Sequence, residues 1–528
     1  MNVDQSIFGY VRDYLNKPDK IKIEYYGSSF TEREFLSYAL RVGGYLTEKG
    51  FAGKTVGIML PNIPEAVFAL YGASAAGCTV NLINPRFRTE ALERILLSTE
   101  TKILFVYDKI YPLHRKMLEK YGIEAVVCSP FYYRKGLKIL YPFSLAACAG
   151  ATRFSETLKS AECVPVKRKG EDAAVYIHSG GTTGTSKAVV ISNRALNSLA
   201  ESVVDSVHPG RMDIPENGGM LAILPVFHGF GLGICVHTVI CHIRVVLMPL
   251  FRAKEAARLI KKYSVTHIAG VPQMYSKLTA ERAFAGKGLK QIECVFCGGD
   301  KLAPQIKDRF DAILSEAGSK GEICEGYGLT ETASVVTVNP RGATKEYSQG
   351  LPLCGNAVKI TDGHGKTLPA GEIGNIELCA VSLMSGYLKD DEATAQAVYT
   401  DGEGKRWLRT GDLGYLDEEG YLYFKERVKR TVKIAAINIF PSDIEAVVNA
   451  MREVEECCAA RATDAAGKPY VKLYVKRSPE AARASLESKI RAEIASKIVR
   501  YAVPREIVEV EELKHTPFGK VDYKFYEK

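Results

Sequence analysis

At 528 residues, 46% hydrophobic and 25% charged, with 46 glycines and 22 prolines spread along its length, the chain is globular and too long for a single core. Its 70 Lys and Arg against 61 Asp and Glu leave a net charge of +9, which suits small anionic ligands and is too slight a bias for a nucleic-acid binder. The 13 cysteines lie mostly in apolar, strand-like runs such as Val127-Cys128 and Leu378-Cys379, which reads as buried thiols of a cytoplasmic protein rather than a disulfide framework.

The first residues, MNVDQSIFGYVRDYLNK, hold no apolar run long enough for a signal peptide. Short β-branched runs then alternate with amphipathic helical patterns through the first 330 residues, the pattern of parallel α/β sheets. Strands are predicted over Val56 to Met59, Ile103 to Tyr107, Ala174 to His178, Leu221 to Leu224, Thr266 to Ala269 and Cys294 to Cys297. Helices are predicted over Pro64 to Ala76, Ala253 to Tyr263 and Pro304 to Ala317, the first and last closed by Gly77 and Gly318. The basic-aromatic stretch Phe131 to Lys138 reads as a solvated loop, because lasting membrane attachment needs a second signal.

After Ala174 to His178 comes Ser179-Gly180-Gly181-Thr182-Thr183-Gly184-Thr185-Ser186-Lys187, followed by the β-branched run Ala188 to Ser192. Glycines let backbone N–H groups approach phosphate oxygens, hydroxyls add donors, and lysine adds positive charge. The spacing is not that of the P-loop. Alone, the segment reads equally as a turn.

Met220 to Leu250 is the longest apolar stretch, but Pro225, three histidines and Arg244 interrupt it, so no integral membrane segment is expected. Cys294 and Cys297 have CxxC spacing without a second pair, and the residues between them read as strand, so no zinc or redox site is expected there. From about 335 to 425 short strands punctuated by Gly, Asp and Pro predict a small antiparallel β unit. Beyond Arg430 the pattern turns α+β: a helix over Ser442 to Ala450, a strand over Val471 to Val475 and a helix over Ala481 to Val499.

The Ser179 to Lys187 loop resembles the signature of adenylate-forming (AMP-binding) acyl-CoA synthetases, and its Gly-Gly-Thr-Thr-Gly form resembles the fatty-acyl branch. Six further segments resemble motifs of that superfamily in the same order. Leu224-Pro225-Val226-Phe227-His228 resembles the motif whose histidine borders the acid tunnel. Cys297-Gly298-Gly299-Asp300 resembles the segment lining the adenine and acyl pockets. Glu325-Gly326-Tyr327-Gly328-Leu329-Thr330-Glu331 resembles the adenine and magnesium motif, with Tyr327 on adenine, Gly328 beside it, Thr330 on the α-phosphate and Glu331 holding Mg²⁺. Arg409-Thr410-Gly411-Asp412 resembles the motif whose aspartate takes both ribose hydroxyls. The stretch from Arg427 to Glu445 resembles the hinge and thiol-tunnel motif, and Thr516-Pro517-Phe518-Gly519-Lys520 resembles the motif carrying the adenylating lysine.

The resemblance implies an α/β fold: a large N-terminal domain, residues 1–429, with two layered sheets and a small β-barrel, then a mobile α+β lid, residues 430–528. It implies an enzyme using ATP, Mg²⁺ and coenzyme A to convert a carboxylic acid, as a fatty acid, into a thioester. Lys520, Glu331, Thr330 and His228 would be catalytic, and Thr183 would share the metal with Glu331. Ser179, Gly180, Gly181, Thr182, Thr183, Gly184 and Lys187 would hold the triphosphate. Gly299, Asp300, Tyr327, Gly328, Asp412 and Arg427 would hold the nucleoside, with Lys433 and Ala436 beside the thiol. Arg430 stands where an acid or lysine is common, and Ala436 replaces a glycine. An acyl carrier protein as thiol acceptor, or a silent nucleotide- and acyl-binding protein, remain as alternatives.

Overall fold

The computed structural model describes residues 1–178, 187–211, 214–434, 437–464, 467–479, 481, 483–515 and 521–527. One sheet of eight strands runs in the order Gly386–Tyr387, Ala188–Ser192, Ala173–His178, Thr79–Leu82, Thr55–Met59, Ile103–Tyr107, Glu124–Cys128, Thr152–Arg153. From Ala173–His178 to Thr152–Arg153 every pairing is parallel. Strands covered on both faces must be apolar throughout, which is why Ile103–Tyr107 reads as a continuous hydrophobic run. The helix Pro64–Ala75 is buried along its whole length, and its sequence is accordingly apolar on all sides.

A second sheet of nine strands runs in the order Leu351–Pro352, Val335–Val338, Ile323–Gly328, Cys294–Cys297, His267–Gly270, Gly219–Ala222, Arg244–Leu247, Ile21–Tyr25, Ser28–Thr31. Its centre is parallel and both ends are antiparallel hairpins. The strand expected at Leu221 to Leu224 ends at Ala222, ahead of Pro225, which cannot donate to a ladder. Residues 230–238, within the long apolar stretch, form a π-helical segment. Among the described residues no helix is long and apolar enough to cross a membrane.

The strands Ala357–Thr361, Gly374–Cys379, Arg406–Leu416 and Val398–Thr400 pair in that order, with Leu422–Arg427 added on Arg406–Leu416. This sheet is open, so the small barrel expected from the sequence does not close among the described residues. Closure needs the two end strands to pair across a common tilt, and here the Val398–Thr400 end is only three residues long.

The chain divides into two compact units, residues 1–357 with 378–408, and residues 358–377 with 409–528. In the second, Val454–Thr463, Pro469–Arg477 and Glu506–Glu509 form a three-stranded sheet. Helices Pro441–Asn449 and Arg483–Lys497 accompany it, and the core includes Ile444, Val448, Leu473, Ile490 and Ile494. None of the 13 cysteines is in a disulfide.

Candidate active site

In the first unit, strand Ala188–Ser192 carries Lys187 at its entrance and accepts the two-residue strand Gly386–Tyr387 on its outer edge, with Tyr387 opposite Val189. That pairing puts the Tyr387 ring 4.8 Å from Lys187 Nζ. Lys187 Nζ is also 3.1 Å from Asp390 Oδ2. The Tyr387 hydroxyl donates to Glu331 Oε1 at 2.8 Å. One tyrosine therefore links the lysine expected at the phosphates to the carboxylate expected at the metal.

Burial, followed by the Glu331 charge, pushes the Tyr387 hydroxyl well above its ordinary range, so it remains a donor. Asp390 caps the helix Asp391–Ala397 by accepting from the Ala393 amide at 3.0 Å. That amide and the Lys187 ammonium hold its carboxyl below the usual range.

Glu331 sits in the short turn Thr330–Thr332, which ends at Ala333 with φ of 57°. The Leu329 amide donates to Thr332 Oγ1 at 3.0 Å, and Ser382 Oγ donates to the Thr332 carbonyl at 2.7 Å. The Met384 amide donates to the Glu331 carbonyl at 2.8 Å. Backbone and side chain of Glu331 are thus both fixed by the segment that delivers Tyr387.

Two glycines let other expected residues approach this turn. A Cβ on Gly229 would stand 2.0 Å from the Ala333 carbonyl oxygen, and one on Gly328 would stand 1.9 Å from that of Ser334. His228, just before Gly229, is exposed, with Nδ1 accepting from the Phe230 amide at 3.3 Å. It is therefore not a core histidine. Tyr327 pairs with Thr337 across the hairpin and is part-buried. Gly299 has φ of +82°, a value favouring glycine, and exposed Asp300 follows it. A Cβ on Gly298 would meet the Gly326 carbonyl and the Phe230 ring, each at 3.3 Å, so these backbones border a slot that larger residues would narrow.

Two titratable groups here escaped the sequence reading. Burial pushes Glu325 up to about 7, against the pull of the Leu302 amide and the Gln349 side chain. His178 ends the strand that enters the glycine loop, with Nε2 2.6 Å from Asn81 Oδ1, and burial holds it down to about 4, so it is neutral near pH 7. Tyr387 and Asp390 were also missed. Asp390 carried a cap signal, an acid opening a helical run, while nothing local marked Tyr387.

In the second unit, Asp412 lies opposite Arg427 in the hairpin of Arg406–Leu416 and Leu422–Arg427. The Asp412 carboxylate is fully buried, with Oδ1 3.4 Å from Arg427 Nε. The Asp412 amide donates to Thr410 Oγ1 at 3.1 Å, and Thr410 Oγ1 donates to the Ile376 carbonyl at 2.7 Å. Exposed Lys433 pairs with Asn438 in the hairpin Val432–Ile434/Ile437–Ile439.

Arg430 is held firmly. It donates to Glu445 Oε1 at 2.5 Å and to the Ala459 carbonyl at 3.1 Å, lies 3.7 Å from Glu426 Oε1, and packs 4.7 Å from the Tyr523 ring centroid. Burial pushes Glu445 up and the Arg430 charge pulls it back. Ser179, Gly180, Gly181, Thr182, Thr183 and Gly184, together with Ala436 and Lys520, lie outside the described residues.

The profile of the family described as AMP-binding enzyme matches residues 12–388, and that of the AMP-binding enzyme C-terminal domain matches residues 443–520. The chain is 28% identical over 525 residues to a long-chain-fatty-acid–CoA ligase of Bacillus subtilis (strain 168), covering 96% of this chain and 90% of that one. It is 27% identical over 510 residues to a 4-coumarate–CoA ligase of Vanilla planifolia, covering 93% and 87%. The ATP-bound crystal structure of MatB from Rhodopseudomonas palustris superposes with a TM-score of 0.85 at 24% identity, covering 100% of this chain and 98% of that one, a likeness of fold.

Proposed function

The chain belongs to the AMP-binding enzyme family, and from that membership we propose that it is an ATP-dependent acid–thiol ligase that adenylates a carboxylic acid, specifically a fatty acid, and transfers the acyl group to coenzyme A. The observation that carries this reading is the Tyr387 bridge, which holds a lysine over its ring and a carboxylate at its hydroxyl. The CoA-ligase relatives support free coenzyme A as acceptor rather than a carrier protein, and the long-chain relative supports a fatty acid. Cysteines that form no disulfide accord with a cytoplasmic setting.

In the first half-reaction an acid carboxylate oxygen attacks the α-phosphorus of ATP, the bond to the bridging oxygen breaks, and pyrophosphate leaves. Lys187 and the 179–184 loop neutralise the triphosphate, and Thr330 orients the α-phosphate. Gly299, Asp300, Tyr327 and Gly328 border the adenine, while Asp412 and Arg427 take the ribose. His228 borders the acid. Positioned charge supplies most of the catalysis. Glu331 presents oxygen donors fixed by Tyr387 and by its own backbone, which fit Mg²⁺, with Thr183 as second ligand; the ion would neutralise phosphate charge.

In the second half-reaction the lid, residues 430–528, turns near Arg430 to withdraw Lys520 and bring Lys433 and Ala436 beside the thiol. The CoA sulfur attacks the adenylate carbonyl, and AMP leaves. The test is Lys520→Ala: acid-dependent ATP–pyrophosphate exchange should vanish while thioester forms from supplied acyl-adenylate. Exchange at the unsubstituted rate overturns the role given to Lys520.

A further inference from the structure

Away from the candidate active site, three side chains with metal-binding atoms converge in the nine-stranded sheet of the first unit. Cys294 opens the strand Cys294–Cys297 and is in parallel register with His267 on the neighbouring strand His267–Gly270, so both side chains leave the same face. His208 follows the helix Asn193–Val207. The donor atoms of His208, His267 and Cys294 all lie within 4.8 Å of one another, and all three residues are buried. The two Nε2 atoms are 3.2 Å apart. That contact is a hydrogen bond between the rings; two imidazole nitrogens bound to one ion at about 2.0 Å stand about 3.3 to 3.5 Å apart, so the rings need part only slightly to hold a metal.

The surroundings favour the ligating form of His267. Its Nδ1 is 2.7 Å from Thr266 Oγ1, which lies 3.3 Å from the Gly219 carbonyl and 3.1 Å from the Gly219 amide. With Nδ1–H donating to Thr266, and the Thr266 hydroxyl donating to Gly219, Nε2 carries the lone pair directed at the triangle. Such an outer hydrogen bond is the usual device for orienting a metal-binding imidazole. Beside the histidines is a cavity of about 40 Å³ lined chiefly by valine, isoleucine, methionine and phenylalanine, with His242 and Thr238 among them.

We propose that His208, His267 and Cys294 form a binding site for one copper(I) ion. A thiolate and two imidazoles are a soft donor set, and three ligands suffice for this ion. The complex is neutral, as an apolar, buried site requires. Zinc(II) on the same ligands would leave a buried positive charge and require a fourth ligand. Binding replaces the Cys294 thiol proton, which leaves to solvent as the S–Cu bond forms. The site joins two strands and a helix end within one sheet layer. From their CxxC spacing no metal was expected at Cys294 and Cys297, and Cys297 is in register with Gly270 rather than with His267.

The test uses the full chain produced in copper-supplemented medium and, in parallel, zinc-supplemented medium, handled anaerobically without chelators and desalted. About one copper per chain should remain, with absorption spectra showing one sulfur and two nitrogen ligands. Cys294→Ser and His208→Gln should lose it, Cys297→Ser should keep it, and Thr266→Val should bind about 10- to 100-fold more weakly. A copper-free wild-type chain, zinc retained in place of copper, or undiminished copper in folded C294S and H208Q would each overturn the assignment. If neither variant folds, the wild-type metal count and spectrum decide.

Discussion

The Tyr387 hydroxyl donates to Glu331 Oε1 at 2.8 Å while the same ring lies 4.8 Å from Lys187 Nζ. Tyr387→Phe keeps the ring beside Lys187 and removes only the bond to Glu331. Hydrogen bonds to charged groups contribute about 1.5–3 kcal/mol, so kcat/KM for acid-dependent pyrophosphate release should fall about tenfold or more. Tyr387→Ala should fall further, because the cation–π contact is lost as well.

The Lys187 to Asp390 pair, at 3.1 Å, competes with any phosphate for the ammonium. Asp390→Asn keeps an oxygen to cap the helix at Ala393 and removes the charge. The KM for ATP should therefore drop a few-fold, and the difference should shrink as salt is added. A raised KM would mean that the pair positions Lys187 rather than restraining it.

Glu65 supplies a pH signature. It is fully buried, and burial, aided by the Asp108 charge, pushes it up to about 8 from the ordinary 4.5. Between those values the folded chain keeps a proton that the unfolded chain has released, so this group's contribution to stability declines as pH rises through that window. Glu65→Gln removes the dependence. Urea unfolding at pH 5.5 and 8.5 should show the wild type losing about 3 kcal/mol relative to Glu65→Gln, since each pKa unit corresponds to about 1.4 kcal/mol.

Arg430 tests the second unit. Arg430 and Glu445 are half-buried, and hydrogen bonds to charged groups contribute about 1.5–3 kcal/mol, so Arg430→Ala should cost about that much unfolding free energy. The double change Arg430→Ala/Glu445→Ala should cost less than the sum of the single changes, because the two side chains touch. Additive losses in denaturant unfolding would contradict the coupling.

The parallel sheets were legible because their strands are buried on both faces. Ile103 to Tyr107 and Cys294 to Cys297 stand in the structure as read from their β-branched and aromatic runs. Helix ends were read to within a residue or two where Gly or Pro marks them, as at Pro64. What escaped depends on long-range pairing. Tyr387 meets Glu331 56 positions away and Lys187 still further along the chain, through a strand of two residues that carries no periodic signal. The register of His267 with Cys294 was equally invisible, because it joins residues of two strands that no local spacing relates. Sheet closure is set by which end strands meet, and the short-strand pattern of residues 335–425 could not specify it. The packing of Arg430 against Glu445 and Tyr523 likewise needed segments further along the chain.

Acid-dependent exchange of labelled pyrophosphate into ATP, measured without coenzyme A across a panel of fatty, aryl and short-chain acids, tests adenylation itself. Label should enter ATP only when an acid is present, most rapidly with a fatty acid. Exchange that ignores the acid, or no exchange with any acid in the panel, would contradict the account.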